Sequence, residues 1–251
     1  MDATERFSNR VQDYARYRPH YPAAVIGSLQ TNCQLLETSV IADVGSGTGI
    51  LTELFLRHGN PVLAVEPNRQ MRKACERLLQ DYPRFQSVAG RAEATTLPEQ
   101  SVDFVTAGQA FHWFDRKKAK AEFSRILKAR GWVVLAWNER RVASSPFAEA
   151  YEDLLREYAT DYEKIDHRQI TEEIIGEFYG VRFGLACFEH SQRFDFDGLK
   201  GRLLSSSYAP DATHPRHIAM LGELRRIFET HQSNGEVVFD YETKVYYGRL
   251  S

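Results

Sequence analysis

The segment Asp43-Val44-Gly45-Ser46-Gly47-Thr48-Gly49 constrains this chain more than any other. An apolar run over residues 40–44 leads into it. An apolar helical stripe, Ile50, Leu51, Leu54 and Phe55, leads out of it and is closed by Gly59. Strand, glycine loop and helix in that order place the loop at the carboxyl end of a strand in an open sheet covered by helices. The alternation continues along the chain. Apolar runs at 61–66, 85–89, 102–107 and 131–138 read as further strands of a buried parallel sheet. Between them, Met71, Ala74, Cys75, Leu78 and Leu79 form a helical stripe opened by Pro67. Residues 116–129 form another, with Asp115 as its N-cap and Gly131 just past its end. After Asn138, helical stretches at 147–162, 171–178, 196–206 and 215–231 surround strand-like runs at 185–194 and 237–247. The last run is expected to pair with the strand at 185–194, antiparallel to the rest. The expected fold class is α/β, a doubly wound Rossmann-like seven-stranded sheet, mostly parallel with an antiparallel C-terminal strand, plus inserted helices forming a cap.

The glycines let a ligand approach the backbone, whose N–H groups and the following helix N-terminus face the strand ends. Glu66 ends the second apolar run, 17 residues after Gly49, where a carboxylate can accept hydrogen bonds from both hydroxyls of a ribose. Nicotinamide dinucleotides and S-adenosylmethionine both use this arrangement, and the local chemistry separates them. A dinucleotide loop spaces its glycines Gly-x-Gly-x-x-Gly, whereas here the spacing is Gly-x-Gly-x-Gly with Ile50 in the sixth position. Asp43 would repel a pyrophosphate but can pair, directly or through water, with the ammonium of a methionine moiety. The loop therefore favours S-adenosylmethionine, which has no phosphate and is cationic at sulfur and amine.

Further residues follow in a fixed order: Arg91-Ala92-Glu93, Leu97-Pro98, Ser101-Val102-Asp103, then Gly108-Gln109-Ala110-Phe111-His112-Trp113-Phe114-Asp115. With the glycine loop, this series resembles the class I S-adenosylmethionine-dependent methyltransferases over about residues 36–140. It is similar to the small-molecule branch that includes trans-aconitate methyltransferase-like proteins. The resemblance implies that Gly45, Ser46, Gly47, Thr48 and Gly49 wrap the cofactor and that Glu66 holds its ribose. It also implies that Met71 or its neighbour Pro67 packs near the adenine and that Ala92 and Glu93 flank the adenine edge; Gln109 itself reads as a contact to the methionine part rather than as a catalyst. The chain is expected to form one domain over 1–251, with an N-terminal helical lid (1–35), a cofactor-binding core (36–140) and a substrate cap (141–251).

Residues 107–114 are the expected reaction surface. They lack the Asn or Asp followed by Pro-Pro and an aromatic residue that enzymes acting on nucleobase or glutamine nitrogens place there. His112 reads either as a general base or as a residue that hydrogen-bonds the backbone and shapes the pocket. Methyl transfer from a sulfonium often needs alignment and water exclusion more than a base. Trp113 is a candidate for contact with the sulfonium or acceptor, whereas Phe111 and Phe114 suit core packing better. The N-terminal stretch, with Phe7, Tyr14, Tyr17, Arg18, Pro19 and Tyr21 within a run beginning at Arg10, is aromatic and basic. Arg18 and Tyr14 are candidates for binding, Arg18 through a carboxylate clamp. Tyr17 and Tyr21 read as packing. Tyr208, in the polar break Ser205-Ser206-Ser207-Tyr208, is a tentative substrate contact.

Charge excludes some partners. The 32 basic and 34 acidic side chains leave a net charge of -2, which asks for neither nucleic acid nor an anionic membrane. The longest apolar runs, such as 132–137, are far shorter than the roughly 20 residues of a membrane span, and the first residues lack a secretion signal. A soluble, cytoplasmic monomer or homodimer with a small-molecule acceptor is expected. Cys33, Cys75 and Cys187 have no metal-ligand spacing and read as reduced packing residues; no metal is expected. Two competing readings are an S-adenosylmethionine-binding regulator without activity and, against the glycine spacing, a nicotinamide oxidoreductase.

Overall fold

All four residues of Ile41–Val44 are buried, Asp43 included, and a strand covered on both faces belongs in the middle of a sheet. The computed structural model describes residues 11–160, 162, 170–180 and 182–251. Its strands are β1 (Ile41–Val44), β2 (Val62–Val65), β3 (Phe85–Val88), β4 (Val102–Gly108), β5 (Leu127–Arg140), β6 (Phe183–Phe194) and β7 (Val237–Gly248). They form a seven-stranded sheet in the order β3-β2-β1-β4-β5-β7-β6. β1 through β5 pair in parallel, and β7 runs antiparallel between β5 and β6. The sequence order reverses between β1 and β4, the switch point at which open α/β sheets bind ligands beyond the strand ends.

The described helices are α1 (Val11–Tyr17), α2 (Ala24–Cys33), α3 (Ile50–His58), α4 (Arg69–Leu79), α5 (Arg116–Ile126), α6 (Pro146–Tyr158), α7 (Glu172–Tyr179), α8 (Phe196–Leu204) and α9 (His217–His231). A 3-10 turn covers Phe111–Trp113. Side chains start several helices where orphan N–H groups need acceptors. Asp115 accepts from the Lys118 amide as expected, and Asn68 accepts from both Gln70 and Met71. Pro67 thus precedes the cap of α4 and does not open the helix. Gly59 closes α3 in the left-handed region at φ 101°.

Two apolar clusters sandwich the sheet. Phe111, Phe123, Phe178 and Tyr179 pack with one, and Leu29, Ile41, Phe55 and Cys75 with the other. A third, aromatic cluster binds the C-terminal helices to the far ends of the long strands through Phe147, Tyr151, Phe239 and Tyr241.

Several expected boundaries shift. α5 ends at Ile126, three residues short of its pattern, because Leu127 pairs with Val102 and the chain turns extended at once; Gly131 lies inside β5. α6 ends at Tyr158, and residues 161 and 163–169 lie outside the described set, as do Phe7 and Arg10. The partner strands β6 and β7 are no simple hairpin, since α8 and α9 lie between them. Cys33 and Cys75 are buried, but Cys187 is exposed, because β6 is the sheet's edge and its residues alternate toward solvent.

Candidate cofactor and acceptor site

The loops after β1, β2 and β4 converge at the switch point on a cavity of about 630 Å³. Its floor is the glycine loop. Gly45 and Gly47 adopt φ of 71° and 58°, the left-handed region that glycine enters without strain. A Cβ on Gly45 would stand 2.7 Å from that of Ala110, so only glycine lets the loop after β4 come this close. A Cβ on Gly47 would meet nothing within 4 Å, which marks the open side of the cradle. Ser46 Oγ, buried at the cavity wall, has no hydrogen-bond partner among the described residues.

Glu66 and Asp43 face this space with their charges held differently. Glu66 accepts from the Gly47 amide through Oε2 (2.9 Å) and from the Asn68 amide through Oε1 (2.8 Å), so one carboxylate ties the first loop to the start of α4. Burial pushes its pKa upward against those two amides and Arg72. Asp43 is fully buried. Its Oδ2 accepts from the Thr52 hydroxyl at 2.6 Å and its Oδ1 from the Thr106 hydroxyl at 3.0 Å. Burial moves Asp43 up to about 6 against the pull of both hydroxyls. The acid therefore clamps β1, α3 and β4 together, while its side chain still forms part of the wall.

Of the residues expected at the cofactor, Asp43, Gly45, Ser46, Gly47, Glu66, Pro67, Met71, Ala92, Glu93 and Gln109 line the cavity. Thr48 and Gly49 do not. Gly49 sits beneath the loop at φ 91°, where a Cβ would stand 2.6 Å from Leu79 Cδ1 and 2.7 Å from Cys75 Sγ, so its glycine serves helix packing. Gln109 is a non-glycine residue at φ 54°, a strained conformation kept by two bonds: its amide to Ala136 O and its Nε2 to Asn138 O, both 2.9 Å.

On the acceptor side, Tyr14, Arg18 and Trp113 line the cavity, whereas His112 and Tyr208 do not. The His112 ring leans on Trp113 with centroids 4.8 Å apart. Phe111 is core, edge-on to Phe178, Trp137 and Phe114; Phe114 reaches the wall. Tyr21, expected only to pack, also lines the cavity, and its hydroxyl fills the place of a side chain at Gly108. Tyr17 packs as expected, its ring against the bare backbone of Gly201.

Two asparagines escaped the sequence reading. Asn68 holds the helix start beneath Glu66. Asn138 donates from Nδ2 to the carbonyl of Pro19 (3.1 Å) and accepts at Oδ1 from Thr243, joining the N-terminal segment to β5 and β7. A buried amide ending an apolar strand was the available signal.

The sheet order, the left-handed glycines and the Glu66 carboxylate together define the class I, Rossmann-like S-adenosylmethionine-dependent methyltransferase architecture. The orphaned Ser46 hydroxyl and the open side of Gly47 fit a cofactor with hydroxyl and amine groups to satisfy. Comparison with known proteins agrees. Residues 42–135 match the family described as methyltransferase domain. An uncharacterized methyltransferase-like protein of Schizosaccharomyces pombe is 28% identical over 244 residues, 96% of this chain and 93% of that protein. Further relatives at 34% identity are matched over 54% to 58% of their own length. A structure described as a type II methyltransferase from Anaeromyxobacter dehalogenans superposes with a TM-score of 0.68 at 21% identity, covering 93% of this chain and 98% of that one. An S-adenosylmethionine-dependent methyltransferase from Geobacter sulfurreducens, solved with S-adenosyl-L-homocysteine, shares the fold at a TM-score of 0.55 and 14% identity over 98% of both chains. Residues 42–135 thus match a methyltransferase domain, and the chain has the fold of S-adenosylmethionine-dependent methyltransferases.

Proposed function

We propose that the chain methylates a small-molecule acceptor, a carboxylate or a hydroxyl, held opposite the glycine loop by Tyr14, Arg18, Gln109 and Trp113. One observation carries this reading: the cavity lining joins the glycine loop and the Asp43 and Glu66 carboxylates to the aromatic and basic side chains of Tyr14, Arg18, Tyr21 and Trp113. S-adenosylmethionine supplies an electrophilic methyl group on a sulfonium. The protein's own part is then to hold, align and dry the reactants. Glu66 and the loop amides would hold the ribose and methionine ends; Met71 and Ala92 offer apolar contact for the adenine; Trp113 and Phe114 offer ring faces to a cation. His112 stands off the wall, which supports transfer without a side-chain base.

The near-neutral charge supports an acceptor other than nucleic acid. No helix among the described residues is long and apolar enough to cross a membrane. A cytoplasmic protein acting on a metabolite, as a monomer or homodimer, is consistent with both. A screen of small carboxylic acids, phenols and alcohols, read by release of S-adenosylhomocysteine, tests the proposal. Turnover with at least one acceptor is expected. Tight cofactor binding with no turnover on any of them would make the chain a binding protein instead.

A further inference from the structure

Arg18 leads from the cavity wall into a second feature. Its guanidinium stacks on the Tyr14 ring, with 4.9 Å to the centroid, and donates to Ser205 O (3.0 Å) and Ser206 Oγ (3.3 Å). Ser206 Oγ also accepts from Arg202 (3.3 Å), whose Nε donates to the Tyr241 hydroxyl. Arg140 completes the group. It lies two residues beyond Asn138 on β5, hence on the same strand face about 7 Å further along.

Three guanidiniums therefore gather behind the acceptor side of the cavity, and their charges are not balanced. Glu152 pairs with Arg140 and also lies 3.8 Å from Arg156. Neither Arg18 nor Arg202 has a carboxylate within 4 Å among the described residues, although Arg202 is only 7% exposed. Three buried polar atoms of the group, Arg18 Nε, Arg140 Nε and the Tyr151 hydroxyl, have no hydrogen-bond partner among the described residues. Buried charge without a partner is costly, and a ligand of opposite sign would offset that cost. The field is strong enough to be felt nearby. Burial opposes ionisation of Tyr208, yet Arg140, Arg202 and Arg18 hold its phenol below the ordinary range.

We propose that Arg18, Arg140 and Arg202 form an anion-binding nest that takes a carboxylate or phosphate group of the acceptor and so selects anionic acceptors. Tyr208, off the cavity wall, acts here as part of the nest. The inference rests on the methyl-transfer reading for its direction, because the nest opens at Arg18 onto the same cavity. Guanidinium forks match the planar carboxylate and the phosphate oxygens alike.

The test titrates the full chain, with and without saturating S-adenosylhomocysteine, with succinate, with glycerol phosphate and with the neutral succinamide. At least one anion is expected to bind, and succinamide about tenfold more weakly or worse. Arg18→Gln is expected to weaken the anion about tenfold while leaving S-adenosylhomocysteine affinity unchanged; Arg202→Gln provides a second variant with the same expectation. Which anion binds identifies the acceptor's charged group. No binding of either anion at tens of millimolar, equal binding of succinamide, or anion affinity untouched in Arg18→Gln would each overturn the nest. If S-adenosylhomocysteine binds and no anion does, the nest fails while the cofactor reading stands. If the anions bind and S-adenosylhomocysteine does not, the reverse holds.

Discussion

Asp43 shows how far a residue's chemistry can be read before its surroundings are known. Its acidity beside the glycine loop is visible in the sequence and points to a ligand without phosphate. The hydroxyls of Thr52 and Thr106 that occupy its oxygens come from residues 9 and 63 positions away, and no local pattern announces them. Its pH behaviour follows from that enclosure. A folded-state value of about 6 lies above the ordinary 3.8, so the native protein holds this proton more tightly than the unfolded chain does. Stability is therefore greatest below the unfolded value and falls as pH rises through the interval to about 6. The rise from 3.8 to about 6 sets the loss at about 3 kcal/mol at most. Chemical denaturation of the wild type and Asp43→Asn should show the wild type losing stability relative to the variant between pH 4 and 6.5. Parallel curves would mean that the carboxyl is not held as described.

At the level of elements, the sheet core was legible because each strand and helix carries its own period. The contacts between elements were not. Gly201 illustrates this: in a helical stretch it reads as a weakness, since glycine costs about 1 kcal/mol relative to alanine. In the structure it is where α1 meets α8, and a Cβ there would overlap the Tyr17 ring. The two effects have opposite signs. Gly201→Ala should stabilise a free helix, yet here it is expected to destabilise the fold and to speed amide exchange across Val11–Tyr17 about tenfold. A stabilised variant with unchanged exchange would show that α1 does not rest on α8. The end of α5 gives a similar lesson, because pairing of Leu127 with Val102 overrides a helical pattern that continues to residue 129.

Across the whole molecule, function divides along the same line as legibility. The cofactor half is built from consecutive segments, so Gly45, Gly47 and Glu66 could be found in the sequence and are brought together at the switch point. The proposed acceptor side draws on Arg18, Asn138, Arg140 and Arg202, spread over more than half the chain and joined by the pairing of β7 between β5 and β6 and by hydrogen bonds from Asn138 to Pro19 and from Arg18 and Arg202 to Ser206. Sequence spacing carries no trace of that convergence. In the proposed reading, one cradle closed by the Glu66 carboxylate holds S-adenosylmethionine. Calorimetric titration of S-adenosylhomocysteine into the wild type and Glu66→Ala tests it most directly. The wild type is expected to bind, and the variant to bind at least about tenfold more weakly, because charge-assisted bonds are lost. Equal affinity in the two proteins, or binding of NADH in place of S-adenosylhomocysteine, would contradict it.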